Sequence, residues 1–483
     1  MSLWNWLTGH LSFFISTVAP YPSKVLHSVI MKDVARRYFP DTEMVYLDLW
    51  PLLSPVLWVG DAAAALEVNR RLNVKPDVYH GLFGPMTGGP SLLHTNGKEW
   101  NGEVFCDMLE RKAKEKSVLP LEVLSMRFSL ESIMKLALDL DFDHQCNPHP
   151  VPMSLISIIP WITVGNPFQE LNPMRHYRIW EYGRIINKHM YPELEKRYTD
   201  YMADPASNAS NSLYTLTLTG HSKKHPDRAG PGKKMDKYFL DNALYQIRML
   251  LVAGHDTSSS VLVYAFHALQ KNPETLKRLR EEHTRVFGPD PSRAASMMRD
   301  KAALLNEIPY TVAVVPSRDG SPNVSLADRN GTRYPTAGIY VAIAHHTVHY
   351  SPHTYTDPER FMTERFLDGS TEKIERGAWR PFEHGPRACL GYNVALMQMK
   401  IILVLCARRF DIKLAYEEWE ALEKGSRREE SSEGRSLLLG LFGGKRTDKT
   451  TKRDVDGELA YQCENGGARP NKAYPCRVEM HEE

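Results

Sequence analysis

From Ile247 onward, apolar residues fall on every face of a helical projection: Ile247, Leu250, Leu251, Val252, Val261, Leu262, Val263, Tyr264 and Phe266. A helix that is apolar all round lies inside a large core. The pattern predicts one helix over 236–269, about 51 Å long at 1.5 Å per residue, and Arg248, His255 and Asp256 within it argue against a membrane span. Asn272-Pro273 ends it. A second, heavily charged helix is predicted over 274–286 and a third, apolar one over 392–409. Residues 323–349 alternate, with turn signals at Asn330-Gly331 and Pro335, and predict two or three short strands. The stretch 204–237, rich in Ser, Gly, Lys and Pro, predicts a loop between helical blocks. Another charged loop is predicted over 426–452, around the apolar run 437–442. Helices dominate over a minor β portion, so the fold class is mainly α with some strand (α+β).

Composition narrows the function. The chain has 483 residues, 42% hydrophobic and 24% charged, which is globular and excludes a disordered or collagen-like chain. Lys+Arg is 60 against Asp+Glu 58, so no basic excess points to a nucleic-acid partner. The six cysteines form no CxxC pair, which argues against a zinc knuckle and a disulfide scaffold. Residues 1–20 are apolar and aromatic but interrupted by polar residues, short of the roughly 20 apolar residues of a spanning helix. No basic region precedes them, so a secretory signal is not supported. They read as a buried lead-in or, with Trp4, Trp6, Phe13 and Phe14, as an interfacial anchor. Residues 21–483 show no repeat and no long linker, and are expected to form a single domain.

The chemistry concentrates in two places. A lone cysteine is usually an inert buried hydrophobe, but Cys389 has unusual surroundings in Trp379-Arg380-Pro381-Phe382-Glu383-His384-Gly385-Pro386-Arg387-Ala388-Cys389-Leu390-Gly391. Gly385 and Gly391 permit tight turns and close approach to a flat ligand. The N-terminus of the following helix supplies unpaired N–H groups and positive dipole, both favouring a thiolate. Arg387 is a fixed cation suited to a carboxylate, and Phe382 can pack on a ring face. The other place is Ala253-Gly254-His255-Asp256-Thr257-Ser258, midway along the long helix. Gly costs ~1 kcal/mol against Ala there, and an unpartnered buried Asp costs more. The bland alternative is a kink with the Thr hydroxyl bonded back to the preceding turn.

The pattern F-x-x-G-x-R-x-C-x-G resembles the haem-binding loop of the cytochrome P450 family. Its five specified residues would coincide by chance on the order of 10⁻⁴ times in a chain this long. The resemblance extends from about residue 20 to the end. It implies the cytochrome P450 fold and a haem b whose iron is ligated by Cys389, with Phe382, Gly385, Arg387 and Gly391 completing the loop. The 253–258 segment is similar to the family's oxygen-binding groove. There Thr257 would hydrogen-bond beside the bound dioxygen and Asp256 would relay protons. The implied activity is monooxygenation of a small apolar substrate, using dioxygen and electrons from an NADPH-dependent flavoprotein reductase, on the cytosolic face of the endoplasmic reticulum. Segments such as 45–51, 87–93, 305–311 and 474–478 are similar to a filamentous-fungal branch that oxidises secondary metabolites, among them polyketides of the versicolorin type. The rival classes are a non-catalytic haem or hydrophobic-ligand binder and a haem isomerase or dehydratase.

Two family features are missing. The Glu-x-x-Arg helix should follow Ile308-Pro309-Tyr310-Thr311, but the text breaks into Pro316-Ser317-Arg318-Asp319-Gly320. Glu67/Arg70, Glu181/Arg184 and Glu282/Arg285 share the spacing in the wrong places. The Trp-x-x-x-Arg pattern fails as well, with Val104 standing four residues after Trp100. Both breaks read as missing segments, through a gene-structure error first and through decay of a paralogue second. Arg365, the third member of the usual Glu-Arg-Arg cluster, is then expected to be buried without partners, at a cost of about 3–5 kcal/mol. A chain so broken is expected to bind haem poorly. Arg376, Arg380, Lys400, Arg408 and Arg409 are expected to form the reductase docking face, against the alternative of an ordinary solvated basic surface.

Overall fold

A computed structural model describes most of the chain between His10 and His481. The longest stretches outside the description are 1–9, 72–101, 162–171, 205–211, 225–231, 312–325 and 433–453, with shorter ones that include 385–387. The N-terminal part runs α1 (Leu11–Val18), α2 (His27–Tyr38), β1 (Met44–Leu47), β2 (Val56–Val59) and α3 (Ala62–Arg71). A helical block follows: α4 (Gly102–Glu115), β3 (Leu119–Pro120), α5 (Leu121–Leu138), α6 (Pro150–Ile158), α7 (Pro173–Ala203), α8 (Leu213–Lys224), α9 (Lys237–Lys271), α10 (Pro273–Phe287) and α11 (Ala294–Asp300). The remainder is β4 (Leu326–Ala327), β5 (Arg333–Tyr334), β6 (Tyr340–Ile343), α12 (His345–His349), α13 (Tyr392–Cys406), β7 (Phe410–Leu414), α14 (Tyr416–Ser432), β8 (Gln462–Asn465), β9 (Gly467–Pro470) and β10 (Pro475–Met480).

The long helix forms where its apolar pattern places it. The Asp236 carboxylate caps it by accepting from the Tyr238 N–H at 3.0 Å, and Asn272 closes it. Asn272-Pro273 then opens α10 at once. Two apolar clusters meet along α9. Leu244, Ile247, Leu251 and Val252 pack with α5, α6, α7 and α8. Leu262, Val263, Phe266 and Leu269 pack with α4, α5, α10, α13 and the sheet of β7 and β10. Residues 253–260 belong to neither cluster.

The β portion is small and divided. β1 pairs antiparallel with β2, which pairs parallel with β6; β10 lies between β3 and β7; β4–β5 and β8–β9 are hairpins. The strands expected within 323–349 are β4, β5 and β6, and the last five residues of the sequence stretch turn into α12 instead. The loop expected over 204–237 contains α8, and the charged loop expected from 426 begins as the end of α14. At the N-terminus, Phe13 of α1 packs edge-on against Tyr38 at 5.2 Å. Among the described residues no helix is long and apolar enough to cross a membrane.

Candidate haem-binding site

Cys389 sits on a hairpin-like loop at the start of α13. Its N–H donates to the Phe382 carbonyl at 2.7 Å, which closes the loop, and its own carbonyl accepts from the Tyr392 N–H at 3.4 Å. Gly391 is the N-cap, and a Cβ there would lie 3.7 Å from the Cys389 sulfur, so the close turn leaves the thiol side open. The Phe382 ring packs edge-on against Tyr392 at 4.7 Å. Cys389 is exposed, and so are Leu390, Tyr392 and Met397 beside it. Apolar side chains of that size seldom cluster uncovered around a thiol without a purpose. Gly385 and Arg387 lie outside the described residues. Although part of Cys389 is accessible, its loop contacts desolvate the sulfur and push the thiol up, against the opposing Gly391 N–H. A coordinated metal ion would make it a thiolate, since ligation deprotonates a thiol outright.

Thr257 lies midway along α9 and is exposed, the sole such residue between Phe239 and Gln270. Ala253, Gly254 and Val261 on the same side of the helix are half-buried. This side of the helix is therefore the accessible one, at the level where the two apolar clusters part. The Thr257 hydroxyl donates to the Ala253 carbonyl at 2.7 Å, the back-bond of the bland alternative, and its oxygen stays free to accept. Gly254 has a packing reason: a Cβ would come within 2.8 Å of Ile133 Cδ1 of α5. Helices α5, α9 and α13 are tied together at this level, with Ser129 Oγ 3.2 Å from the Gly254 carbonyl and 3.4 Å from Gln398 Oε1.

Asp256 does not share the Thr257 side. It is buried and its Oδ1 accepts from Arg469 Nε at 2.7 Å, with Arg469 Nη2 at 2.6 Å. Arg469 comes from β9, and its Nε is also 3.5 Å from Glu122 Oε1 at the start of α5. Neither Glu122 nor Arg469 stood out in the sequence, because contacts across 213 residues leave no local pattern.

Two expectations about arginines are overturned. Arg365 is not orphaned: Nη1 donates to both Glu372 carboxylate oxygens at 2.9 and 3.0 Å. Its remaining N–H groups reach the carbonyls of Met362, Asp357 and Arg360, and the guanidinium lies over the Tyr355 ring. The unpaired-charge penalty anticipated for the missing helix does not arise there. The docking face fails too. Arg380 is fully buried; Arg408 is buried against the Gly288 carbonyl; Lys400 donates to Leu305 O at 2.6 Å; Arg409 pairs with Glu110 at 2.7 Å. Arg376 lies outside the described residues. Arg380 and Arg408 lie inside the fold, and Lys400 and Arg409 are half-buried and held by those partners. The Glu-x-x-Arg break and Trp100 also fall outside the described residues, while Val104 lies half-buried in α4.

The residues present fit a haem. A soft sulfur donor stands exposed among apolar side chains, and the accessible side of α9 carries small residues and one hydroxyl. The cytochrome P450 family model matches residues 98–316 and 330–426, and the break between the two blocks follows the point where the Glu-x-x-Arg helix was expected. The cytochrome P450 monooxygenase polC of Polytolypa hystricis is 29% identical, covering 99% of this chain and 88% of its own length. That alignment spans 524 positions, more than the 483 residues here, so the relative carries segments with no counterpart in this chain. The cytochrome P450 monooxygenase acrF of Aspergillus aculeatus is 25% identical, covering 95% of this chain and 98% of its own length. The crystal structure of the cytochrome P450DA heme domain shares the fold with a TM-score of 0.68 at 16% identity, over 98% of this chain and 95% of that one. With the family matched over more than half of its length, the chain belongs to the cytochrome P450 family, enzymes that hold haem iron by a cysteine thiolate.

Proposed function

We propose that this chain is a haem-thiolate monooxygenase of fungal secondary metabolism, with Cys389 as the proximal ligand and an apolar, polyketide-type small molecule as substrate. The observation that carries this reading is Cys389, exposed on its closed loop among uncovered apolar side chains, and Thr257, exposed in the middle of an otherwise buried helix, is consistent with it. The haem supplies dioxygen activation when bound. Cys389 would hold the iron through its sulfur, Phe382 and the apolar side chains beside it would flank the ring, and Thr257 would supply one hydroxyl. The overall reaction consumes one dioxygen, one NADPH and one proton, and yields hydroxylated substrate, water and NADP⁺. Electrons come from a flavoprotein reductase, and the enzyme works at the cytosolic face of the endoplasmic reticulum. The test is NADPH consumption by the haem-loaded chain with reductase and dioxygen, with and without a versicolorin-type anthraquinone. Consumption that depends on the added compound supports the reading. Haem binding without such consumption supports the second reading, a ligand-binding paralogue, which the interrupted family match at 317–329 favours.

Thr257→Ala is expected to keep haem loading and the thiolate spectrum while hydrogen peroxide rises at the expense of product. The hydroxyl holds a proton beside the oxygen and takes no part in holding iron. Peroxide yield per NADPH measures it, and unchanged coupling would leave Thr257 with only its back-bond to Ala253.

A further inference from the structure

Behind Thr257 lies a buried charge cluster with an unequal count. Glu122, Asp256 and Arg469 are all buried, so two carboxyls share one guanidinium away from water. Two carboxylates and one guanidinium would leave a net buried negative charge, which is costly without a second cation. One carboxyl must therefore keep its proton, and the geometry decides which. Asp256 takes two close contacts from Arg469, at 2.7 and 2.6 Å, while Glu122 has one at 3.5 Å. Arg469 has no strong second anion, since its Nη1 reaches only Met126 Sδ at 3.5 Å. Among the described residues Tyr264 and His255 are also within electrostatic reach of the cluster, and neither brings a positive charge: burial pushes Tyr264 up and His255 down.

We propose that Glu122 stays protonated in the folded protein and is the buried acid that resupplies Asp256, with Arg469 fixing both carboxyls in place. This rests on the reading of 253–258 as the distal side of a haem enzyme. The proton leaves a Glu122 carboxyl oxygen and arrives at an Asp256 carboxylate oxygen. Arg469 orients the two groups without giving up a proton, as guanidinium does not deprotonate in proteins. A buried water would bridge them, and unpartnered polar atoms that call for one are present on both helices. Glu122 Oε1, Ser125 Oγ and His255 Nε2 are buried with no hydrogen-bond partner, and groups of that kind are what buried water satisfies. Ser125 stands one turn beyond Glu122 on α5, on the same side of the helix. Consistently, burial and the nearby Asp256 raise the Glu122 carboxyl to about 7 against the pull of Arg469.

Glu122 acts through Asp256 and is a positioning and proton-holding residue, so its test needs more than turnover. The haem-loaded chain at neutral pH is expected to show the infrared carbonyl band of a protonated carboxylic acid, and Glu122→Gln is expected to lose it. Glu122→Gln, a neutral isostere of the protonated acid, is expected to leave thermal stability and the thiolate spectrum unchanged. Asp256→Asn is expected to lower stability, because Arg469 then loses its close anion. In turnover the native chain is expected to lose coupling as pH rises past neutrality, whereas Glu122→Gln is poorly coupled at every pH and Glu122→Asp recovers part of it. Absence of the band at neutral pH overturns the proposal. So does a band that vanishes in Glu122→Gln without any change in coupling, since the proton is then held but not delivered. A native chain that loads no haem or shows no thiolate spectrum would instead count against the enzyme reading itself.

Discussion

Replacing Cys389 with serine is expected to abolish the thiolate-type absorption of the reduced carbon-monoxide complex. The change swaps a soft sulfur for a hard, neutral oxygen at nearly constant volume. The loop should survive it, because the bond that closes the loop runs from the residue 389 N–H to the Phe382 carbonyl and involves no side chain. A lost signature therefore reports ligation and not unfolding, and circular dichroism of the same sample checks the second. The control comes from the cysteine inventory. Of the six cysteines, Cys389 and Cys146 are exposed, and Cys106, Cys406, Cys463 and Cys476 are buried. Cys106 and Cys406 face each other, 3.3 Å apart between sulfurs, inside the α4–α13 contact. Cys146→Ser is expected to leave the spectrum as it is. A thiolate spectrum that persists in Cys389→Ser and disappears in Cys146→Ser would move the ligand to the wrong loop and end the assignment.

The features legible in the sequence were those written locally. The long helix could be placed within a residue or two because its apolar pattern, its Asp236 cap and the Asn272-Pro273 stop all lie within one stretch. The cysteine loop was legible because its residues are consecutive. Helix α8 was not, since Leu213-Tyr214-Thr215-Leu216-Thr217-Leu218 alternates like a strand and sits in loop-like surroundings. What fixes it is distant: Tyr214 is buried, and its hydroxyl donates to the Leu194 carbonyl at 2.8 Å. The arginines were misjudged for the same reason. Arg365 was expected to depend on an absent helix, yet its carboxylate partner, Glu372, stands seven residues away in a loop with no pattern to announce it. Asp256 was picked out for its cost in a buried helix, but nothing nearby hinted that Arg469 and Glu122 enclose it.

Arg380→Met is expected to destabilise the protein by about 3–5 kcal/mol, the range for removing one partner of a buried ion pair. In the sequence this arginine reads as a surface cation beside the cysteine loop; in the structure it is among the largest fully buried side chains of the described residues. Its Nη2 donates to Glu383 Oε2 at 2.8 Å and Nε to Oε1 at 3.3 Å, while Nη1 reaches the Gly377 carbonyl at 2.9 Å. His345 Nε2 lies 2.5 Å from the same Glu383 carboxylate. Glu383 also holds its backbone in the left-handed region, at φ 59°, one residue after the carbonyl that closes the cysteine loop. Methionine fills much of the volume but supplies no donor, so the carboxylate is left buried without its guanidinium, with only the His345 imidazole and the His384 N–H beside it. Burial by itself would raise the Glu383 carboxyl; the His345 hydrogen bond and the Arg380 charge together outweigh it and bring it down to about 2 from an ordinary 4.5. A carboxyl lowered in the folded state stabilises it fully above its unfolded value and loses that contribution as pH falls through the folded one. The gap between native and Arg380→Met chains should therefore be widest above pH 4.5 and close as pH falls toward 2. Adding Glu383→Gln to Arg380→Met should recover part of the loss, because it removes the stranded charge. Urea unfolding across that pH range measures all three chains. A loss below about 1 kcal/mol, the scale of a surface pair, with no dependence on pH, would mean that Arg380 and Glu383 meet water in solution and do not brace the cysteine loop.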